Sequence, residues 1–418
     1  MVSKMKMTLA ALASSVALVG PAAAELTGDL SIFLDTSNPA PRATMEDAIA
    51  TFGAMHPDLN IETTVIDREA YKTQIRNFLT ANAPDVATWY AANRMRPYVE
   101  AGLFEDVSDL WAEPAIAENL ASTKGAMTID NKQWGVPYTY YQWGIYYRKD
   151  IFDELGLSEP TNWAEEKENC EKIVASGRAC YTIGTKFLWT AGGWFDYLNM
   201  RTNGFDFHMQ LLQGDASWES DEVRATFANW RELIDMGGFV ADHQTYSWQE
   251  ALPFMVKGEA ASYLMGNFAV APLREAGLTD DQLDFYQFPT INEAVELSED
   301  APTDTFHIPA AAKNKEAARE FLRFIVSADV QTVLNDGKNL GQLPVNATSS
   351  VDDDKFLQQG FTMLSTNSPG GVAQFFDRDA PAEMAKVAME GFQEFMVKPD
   401  ELDKILAKLE RSRGRIYK

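Results

Sequence analysis

The first ninety residues alternate short apolar runs with segments whose apolar residues recur at helical spacing. Strands are predicted at 29–35, at 59–66 and at the residues that lead into Trp89 and Tyr90. Between them, Met45, Ile49 and Phe52 share one helix face, and Tyr71, Ile75 and Phe78 share another. This strand–helix order predicts an α/β fold with a parallel sheet covered by helices on both faces.

In such sheets, ligands bind outside the carboxyl ends of the strands. Polar and aromatic residues that follow the three predicted strands are therefore candidates for a binding site: Asp35, Ser37, Asn38, Asp67, Arg68, Trp89 and Tyr90.

Residues 133–150 form the most aromatic stretch of the chain, with two Trp and five Tyr in eighteen residues, against 11% aromatic residues overall. β-Branched and aromatic residues dominate it, and Gly135, Pro137 and Gly144 interrupt it, so the pattern favours extended structure over helix. Tyr and Trp combine an apolar face with a polar tip, which suits a half-hydrated cleft. We expect this segment to cross between two lobes and to line the groove between them.

The rest of the chain predicts more helices and strands. Asn162 and Glu165 fit a capping box at a helix start, and Gly177 fits the stop of that helix. Residues 189–204 form a second aromatic region, interrupted by Gly192 and Gly193. Helices are predicted at 221–236 and 315–326, short strands at 263–265, 284–288 and 305–309, and a mostly helical C-terminal third. With no repeat and no long linker, this pattern favours two lobes connected by several crossings.

The N-terminus predicts export. Lys4 and Lys6 precede an apolar run over 7–19, and three Ala at 22–24 follow Pro21. This is the pattern of a cleavable signal peptide, residues 1–24, which is too short to span a bilayer. Export permits a disulfide between Cys170 and Cys180, the only two cysteines, and leaves it open whether they are bridged.

Composition excludes some partners. The chain of 418 residues has 46% hydrophobic residues and a formal net charge of −25, which argues against nucleic acid and anionic membrane surfaces as partners. The four His are scattered, and the sequence contains no phosphate-binding loop, nucleophile elbow or dinucleotide-binding motif. We therefore expect neither a metal nor a cofactor. The many carboxylates leave a glycosidase possible.

Aromatic residues near turns are the main chemical signal: Trp89, Tyr90, Tyr138, Tyr140, Tyr141, Trp143, Trp189, Trp194, Phe195 and Phe268. Aromatic faces pack well against the C–H faces of a sugar ring, whose hydroxyls then need polar partners. They also hold quaternary ammonium groups by cation–π attraction. Composition does not choose between these two ligand classes.

Seven short motifs occur in a characteristic order along the chain. They are Asn-Ala-Pro-Asp-Val at 82–86, Glu-Ala-Gly-Leu at 100–103, Trp-Gly-Val-Pro at 134–137 with Tyr-Tyr-Arg-Lys-Asp at 146–150, Pro-Thr-Asn-Trp at 160–163, Gly-Glu-Ala-Ala at 258–261, the helix at 317–324 and Gly-Gln-Leu-Pro-Val at 341–345. With these motifs, essentially the whole mature chain resembles the periplasmic solute-binding proteins of ATP-driven sugar importers, the group that includes maltose-binding protein.

The resemblance implies two α/β lobes, each with a mainly parallel sheet, joined by a hinge that closes over a ligand. The expected first lobe comprises 25–137 and 290–328, and the second comprises 138–289 and 329–418. The positions that match the family's cleft are Asp35, Asp67, Trp89, Tyr141, Trp189, Trp194, Asn267, Phe268, His307 and Gln342. Ser37, Asn38, Tyr90 and Tyr140 complete the predicted ligand-binding set. Phe268 replaces the Trp common in the family, which keeps a stacking face but removes an N–H donor.

Three functions follow, in order of preference. The first is the monomeric, periplasmic carbohydrate receptor of an ATP-binding-cassette importer, which delivers its ligand to a membrane permease. The second is a receptor for a compatible solute, a betaine or a glycosylated polyol, on the same scaffold. The third is an exported enzyme that acts on glycosides.

Overall fold

The computed structural model describes residues 26–36 and 38–417. The predicted signal peptide, 1–24, and Ser37 lie outside the described residues. The strands are β1 Gly28–Leu34, β2 Leu59–Val65, β3 Val86–Tyr90, β4 Thr128–Ile129, β5 Lys132–Gln133, β6 Val136–Tyr140, β7 Trp143–Arg148, β8 Ala179–Tyr181, β9 Ala260–Gly266, β10 Leu283–Tyr286, β11 Ser298–Asp300, β12 Thr303–His307 and β13 Gly371–Ala373.

The helices cover both lobes and the C-terminal region. They are α1 Pro39–Met55, α2 Arg68–Ala81, α3 Arg96–Glu100, α4 Ser108–Trp111, α5 Pro114–Asn119, α6 Lys149–Leu155, α7 Trp163–Ala175, α8 Trp189–Asn203, α9 Phe205–Gln213, α10 Asp221–Asp235, α11 Trp248–Val256, α12 Val270–Glu275, α13 Lys315–Ile325, α14 Ala328–Leu334, α15 Lys355–Thr366, α16 Phe376–Asp379, α17 Ala382–Val397 and α18 Leu402–Ile416. A 3-10 turn at Ala92–Arg94 follows β3.

The first lobe is built on a five-stranded sheet in the order β2-β1-β3-β12-β6. β1 pairs in parallel with β2 and β3, as the N-terminal pattern predicts. β12 is antiparallel to both β3 and β6, because it reaches the sheet by returning from the other lobe. The core of this lobe contains Leu30, Ile32, Phe52, Phe306 and Phe321, all buried between the sheet and its helices.

The second lobe is built on a four-stranded sheet in the order β10-β7-β9-β8. Here β7 is antiparallel to β10 and β9, and only the β8–β9 pair is parallel. The two-lobed α/β fold is confirmed, and each sheet contains one strand, β12 in the first and β7 in the second, that runs antiparallel to the others. Each of these two strands enters its sheet from a crossing and not through a strand–helix–strand unit.

The aromatic segment crosses between the lobes, as expected. β6 ends in the first sheet at Tyr140, and β7 begins in the second sheet at Trp143. The chain crosses again between β11 and β12, and a third time between Val345, in the core of the first lobe, and Phe356, in the core of the second. Three neighbouring crossings form a hinge.

The lobe boundaries differ from those that the sequence suggested. Residues 138–140 belong to the first sheet because β6 pairs with β12. Residues 329–345 also belong to the first lobe, since Leu334, Leu340 and Val345 are part of its core. Residues 298–300 belong to the second lobe because β11 pairs with β13.

Two local predictions are refined by the structure. The glycine pair at 192–193 does not interrupt the second aromatic region, which is one continuous helix, α8. Asn162 caps α7 by accepting a hydrogen bond from the Glu165 N–H, at 3.1 Å. Glu165 does not complete a capping box on Asn162, because its carboxylate instead accepts the N–H of Thr161, at 2.8 Å.

Cys170 on α7 and Cys180 on β8 are joined by a disulfide. Near it, Glu166 lies on the buried face of α7, where the hydroxyls of Tyr181 and Tyr286 donate to its carboxylate. Burial raises the pKa of Glu166 to about 8. The donated hydrogen bonds favour the ionised carboxylate, but burial outweighs them because an isolated buried charge is costly, so the protonated form is favoured.

Glu166 is expected to make stability depend on pH. Because the folded protein binds this proton more tightly than the unfolded chain, the contribution is fully present below the ordinary pKa of 4.5 and is lost as the pH rises to about 8. Glu166→Gln should therefore flatten the decline of the melting temperature between pH 5 and pH 9, recovering on the order of 3 kcal/mol at the alkaline end. Glu165→Gln, an exposed neighbour, is the control. Parallel curves for wild type and Glu166→Gln would contradict this assignment.

Candidate functional site

A cleft lies between the two lobes, beside the hinge. Its volume is about 890 Å³, a figure that includes the part open to solvent. It is lined by Thr36, Asn38, Pro41, Arg68, Lys72, Tyr90, Tyr138, Tyr141, Trp143, Trp189, Trp248, Gln249, Phe268, Pro302, Asp304, Leu340, Gln342, Phe375, Asp377 and Arg378.

The first lobe contributes a mainly polar wall, which includes Arg68 and Lys72 at the start of α2. Asp67 caps this helix by accepting hydrogen bonds from the N–H groups of Glu69 and Ala70, both at 3.1 Å. The cap fixes the first turn of α2. Arg68 and Lys72, four residues apart on one helix face, are thereby directed into the cleft.

The second lobe contributes an aromatic wall, which we define as Trp143, Trp189, Trp248, Phe268 and Phe375. Its rings meet at steep angles: Trp143 and Trp189 at 86°, and Trp248 and Phe268 at 79°. Gly193 on α8 makes room for this packing, because a Cβ there would lie 2.8 Å from the Trp143 ring and 3.1 Å from the Phe375 ring. The glycine is thus a site of close approach.

Charged side chains link the polar wall to the hinge. Arg68 Nε lies 3.5 Å from the Asp35 carboxylate, and its Nη2 lies 3.6 Å from that of Asp304. Burial lowers the pKa of Arg68, but Tyr90, Asp35 and Asp304 raise it by more, so that the net shift is upward and the guanidinium stays charged.

Arg378, on α16, joins the second lobe to the first. Its Nη2 donates to the Tyr141 hydroxyl and to Asp304, both at 2.9 Å, and its Nη1 donates to the Thr303 carbonyl, at 2.7 Å. The guanidinium also lies 4.5 Å from the centre of the Tyr90 ring, a cation–π distance. This cluster fixes the floor of the cleft at the second crossing.

The lobes also touch each other directly across the mouth of the cleft. Trp189 Nε1 donates to Glu69 on α2, at 3.2 Å. Asn93 donates to the Asp379 carbonyl, at 2.6 Å, and Arg94 lies 3.7 Å from Asp377. These contacts between lobes are those of a closed conformation.

The structure brings seven of the residues predicted for the site to the cleft wall. These are Asn38, Arg68, Tyr90, Tyr141, Trp189, Phe268 and Gln342. Asn38 is the N-terminal residue before α1, but its side chain forms no capping hydrogen bond there. Asp35 lies just behind the wall, where its carboxylate accepts the Tyr90 hydroxyl, at 3.1 Å.

Asp67, Trp89 and Trp194 were also predicted for the site, but they stabilise the fold and do not line the cleft. Asp67 is a helix cap, as described above. Trp89 faces away from the cleft, since neighbouring strand residues point to opposite sides of the sheet, and its indole N–H donates to the Arg94 carbonyl, at 3.0 Å. Trp194 is fully buried in the core of the second lobe, between Tyr181 and Phe288.

His307, Tyr140 and Asn267 also lie outside the cleft wall. His307 is buried, stacks on Phe104 with ring centres 4.2 Å apart and contacts the Trp134 carbonyl at 2.6 Å. Burial lowers its pKa to about 4, so it is uncharged near neutral pH. Tyr140 packs against the core of the first lobe, and Asn267 is buried beside Phe268.

Several residues of the cleft wall were missing from the predicted ligand-binding set: Lys72, Tyr138, Trp143, Trp248, Asp304, Phe375, Asp377 and Arg378. Of these, Tyr138 and Trp143 belong to the aromatic segment that was predicted to line the groove. The helical spacing from Arg68 could have identified Lys72. Phe375, Asp377 and Arg378 carried no local signal, because the pairing of β13 with β11 brings them to the hinge.

Within residues 26–36 and 38–417, no group of three or more His, Cys, Asp or Glu side chains is arranged to hold a metal ion. None of the helices described there is long and apolar enough to cross a membrane.

Comparison with known proteins gives relatives of one kind. An uncharacterised ABC transporter extracellular-binding protein of Pyrococcus horikoshii is 25% identical over 288 residues, 68% of this chain and 63% of the relative. The chain thus spans less than two thirds of that relative's length. The multiple sugar-binding protein of Streptococcus mutans is 21% identical over 292 residues, 68% of each chain.

A solved structure and a family model agree with this. The bacterial solute receptor AcbH, described as having an exclusive preference for β-D-galactopyranose, superimposes with a TM-score of 0.84 and 24% identity, covering 94% of this chain and 100% of that one. This likeness supports the fold. The family model of the bacterial extracellular solute-binding proteins matches residues 36–332. With most of its length matched, the chain belongs to the family of bacterial extracellular solute-binding proteins.

Proposed function

We propose that the protein is the substrate-binding component of an ATP-binding-cassette importer, which captures a sugar or glycoside in the interlobe cleft and delivers it to a membrane permease. The observation that carries this is the aromatic wall of one lobe facing the polar wall of the other. Sugar rings have apolar C–H faces and polar edges, so a ligand of this shape satisfies both walls at once.

The contacts between lobes support capture by closure. A ligand that touches both walls stabilises the closed state relative to the open one, because in the open state it keeps contacts to one wall alone. Trp189 and Glu69, Asn93 and Asp379, and Arg94 and Asp377 are pairs that separate when the hinge opens. Closure would then present one defined surface to the permease.

The remaining parts of the proposal follow from the same role. Residues 1–24 act as a cleavable signal peptide that exports the protein to the periplasm, where it works as a monomer without cofactor. The relatives support an exported sugar receptor, since one is named an extracellular-binding protein of an ABC transporter and another a multiple sugar-binding protein. The ligand leaves the cleft chemically unchanged.

A thermal-shift screen of the mature protein tests the proposal. Mono-, di- and trisaccharides, polyols and betaines are compared, and recovered ligand is checked by chromatography. A ligand that binds only the folded state adds about 2.7 kcal/mol of stability at 100 times its Kd. We expect one carbohydrate class to raise the melting temperature and to be recovered intact. A shift with betaines alone, or a hydrolysed sugar, would contradict the proposal.

A further inference from the structure

The charged side chains at the cleft occur in matched pairs. Four cationic side chains line or back it, and each has a carboxylate partner: Arg68 with Asp35 and Asp304, at 3.5 and 3.6 Å; Lys72 with Glu69, at 3.0 Å; Arg94 with Asp377, at 3.7 Å; and Arg378 with Asp304, at 2.9 Å. Four cations thus face four carboxylates. Neither sign is in excess at this site.

These pairs differ in how their hydrogen-bonding groups are used. Arg378 donates three hydrogen bonds within the protein. Arg68 and Asp377 have their charge partners only at 3.5–3.7 Å, and neither side chain forms a hydrogen bond to any of the described residues. Arg68 therefore has donors, and Asp377 has acceptors, with capacity for a ligand.

The two groups lie on opposite lobes of the same cleft. Arg68 is on α2 of the first lobe, and its side chain is 30% exposed; Asp377 is on α16 of the second lobe, and its side chain is 13% exposed. Both line the cavity. A ligand between the lobes can accept from Arg68 and donate to Asp377 in the closed state.

We infer that the cleft selects an uncharged, polyhydroxylated ligand, with Arg68 and Asp377 as the residues that exclude charged ones. This inference rests on the proposed function, that a sugar binds here. A hydroxyl group both donates and accepts, so it satisfies the two side chains without adding charge. A ligand carboxylate that paired with Arg68 would approach Asp35 and Asp304, which lie 3.5 and 3.6 Å from that guanidinium, and an ammonium group that paired with Asp377 would approach Arg94, 3.7 Å from it. Either like-charge contact opposes binding.

Calorimetry with charged and uncharged sugars tests the inference. The panel contains neutral mono- to trisaccharides together with galacturonate, glucuronate, galactosamine and glucosamine. We expect the tightest ligand to be uncharged and its acidic and amino forms to bind at least about 100-fold more weakly. A uronate or amino sugar as the tightest ligand would overturn charge selection and leave sugar capture standing. Absence of binding by every carbohydrate would refute sugar capture, and the inference with it.

Two variants separate charge selection from a structural role. Asp377→Asn leaves Arg94 without its carboxylate partner, so the affinity for uronates, relative to that for the neutral sugar, should rise by about 10-fold. Arg68→Gln leaves a carboxylate without its cation, so the relative affinity for amino sugars should rise by about as much. The two variants should thus shift selectivity in opposite directions, one toward uronates and the other toward amino sugars, which a general loss of stability would not produce. Asp403→Asn, at an exposed ion pair with Arg224, is the matched control and should leave both ratios unchanged. Unchanged ratios in the two cleft variants would overturn the assignment of Arg68 and Asp377.

Discussion

Replacing Trp189 by Ala is expected to weaken ligand binding by about 100-fold, or about 2.7 kcal/mol. The half-buried indole forms part of the aromatic wall and contributes a stacking face. It also reaches across the cleft, because its N–H donates to Glu69, at 3.2 Å. The substitution therefore removes both a ligand contact and a contact that holds the lobes closed. Isothermal calorimetry with the sugar found by thermal shift measures the loss.

Two other variants define what Trp189 contributes. Trp189→Phe keeps an aromatic face but removes the N–H donor, so we expect an affinity between those of wild type and Trp189→Ala. Phe187 lies two residues earlier in the chain, is 39% exposed and does not line the cleft. Phe187→Ala should bind as wild type does. Wild-type affinity in Trp189→Ala would show that the aromatic wall does not hold the ligand.

Arg201→Met is expected to cost about 3–5 kcal/mol of folding stability. Arg201 on α8 is 1% exposed and forms a buried ion pair with Glu299 of β11. It also donates to the carbonyls of Phe288, at 3.0 Å, and Ser298. Methionine matches its length but leaves the Glu299 carboxylate buried without a cation. An unpaired charge of this kind is far more costly than an apolar contact.

Thermal denaturation measures this loss, and an exposed arginine provides the comparison. Arg224, 40% exposed, pairs with Asp403, 85% exposed; Arg224→Met should cost at most about 1 kcal/mol. Equal melting temperatures for the two variants would contradict the role of Arg201. Because β11 directly precedes the second crossing, the same ion pair also supports the hinge.

Periodic patterns in the sequence predicted much of the first lobe. The alternation of apolar runs and helical spacing placed β1, β2, β3, α1 and α2 close to their observed bounds. The dense aromatic segment was correctly interpreted as an extended crossing between the lobes, although it forms two largely buried strands, β6 and β7, rather than a half-hydrated surface. Such features depend on neighbours in sequence, so they can be predicted from one chain.

The site itself was only partly predictable. Trp89 and Tyr90 are adjacent in sequence, yet of the two Tyr90 alone lines the cleft. Their side chains point to opposite faces of the sheet, and the sequence does not tell which face is directed toward the cleft. Trp194 and His307 resemble ligand-binding residues in type but are buried in the lobes. Their roles depend on long-range packing.

The residues near 375–378 illustrate the same limit more strongly. Phe375, Asp377 and Arg378 are more than 230 residues from Tyr141 in sequence, yet Arg378 donates to the Tyr141 hydroxyl, at 2.9 Å. The pairing of β11 with β13 brings them together, and no local pattern encodes that pairing. The antiparallel pairings of β12 and β7 carry no local signal for the same reason, since each strand pairs with a strand that is distant in sequence.

A crystal structure of the mature protein with its tightest sugar is the most direct test of capture in the interlobe cleft. We expect the sugar between the lobes, with a ring face on the aromatic wall and hydroxyls within about 3 Å of Arg68 and Asp377. A sugar bound elsewhere on the protein, or in the cleft with neither Arg68 nor Asp377 in contact, would contradict the site proposed here.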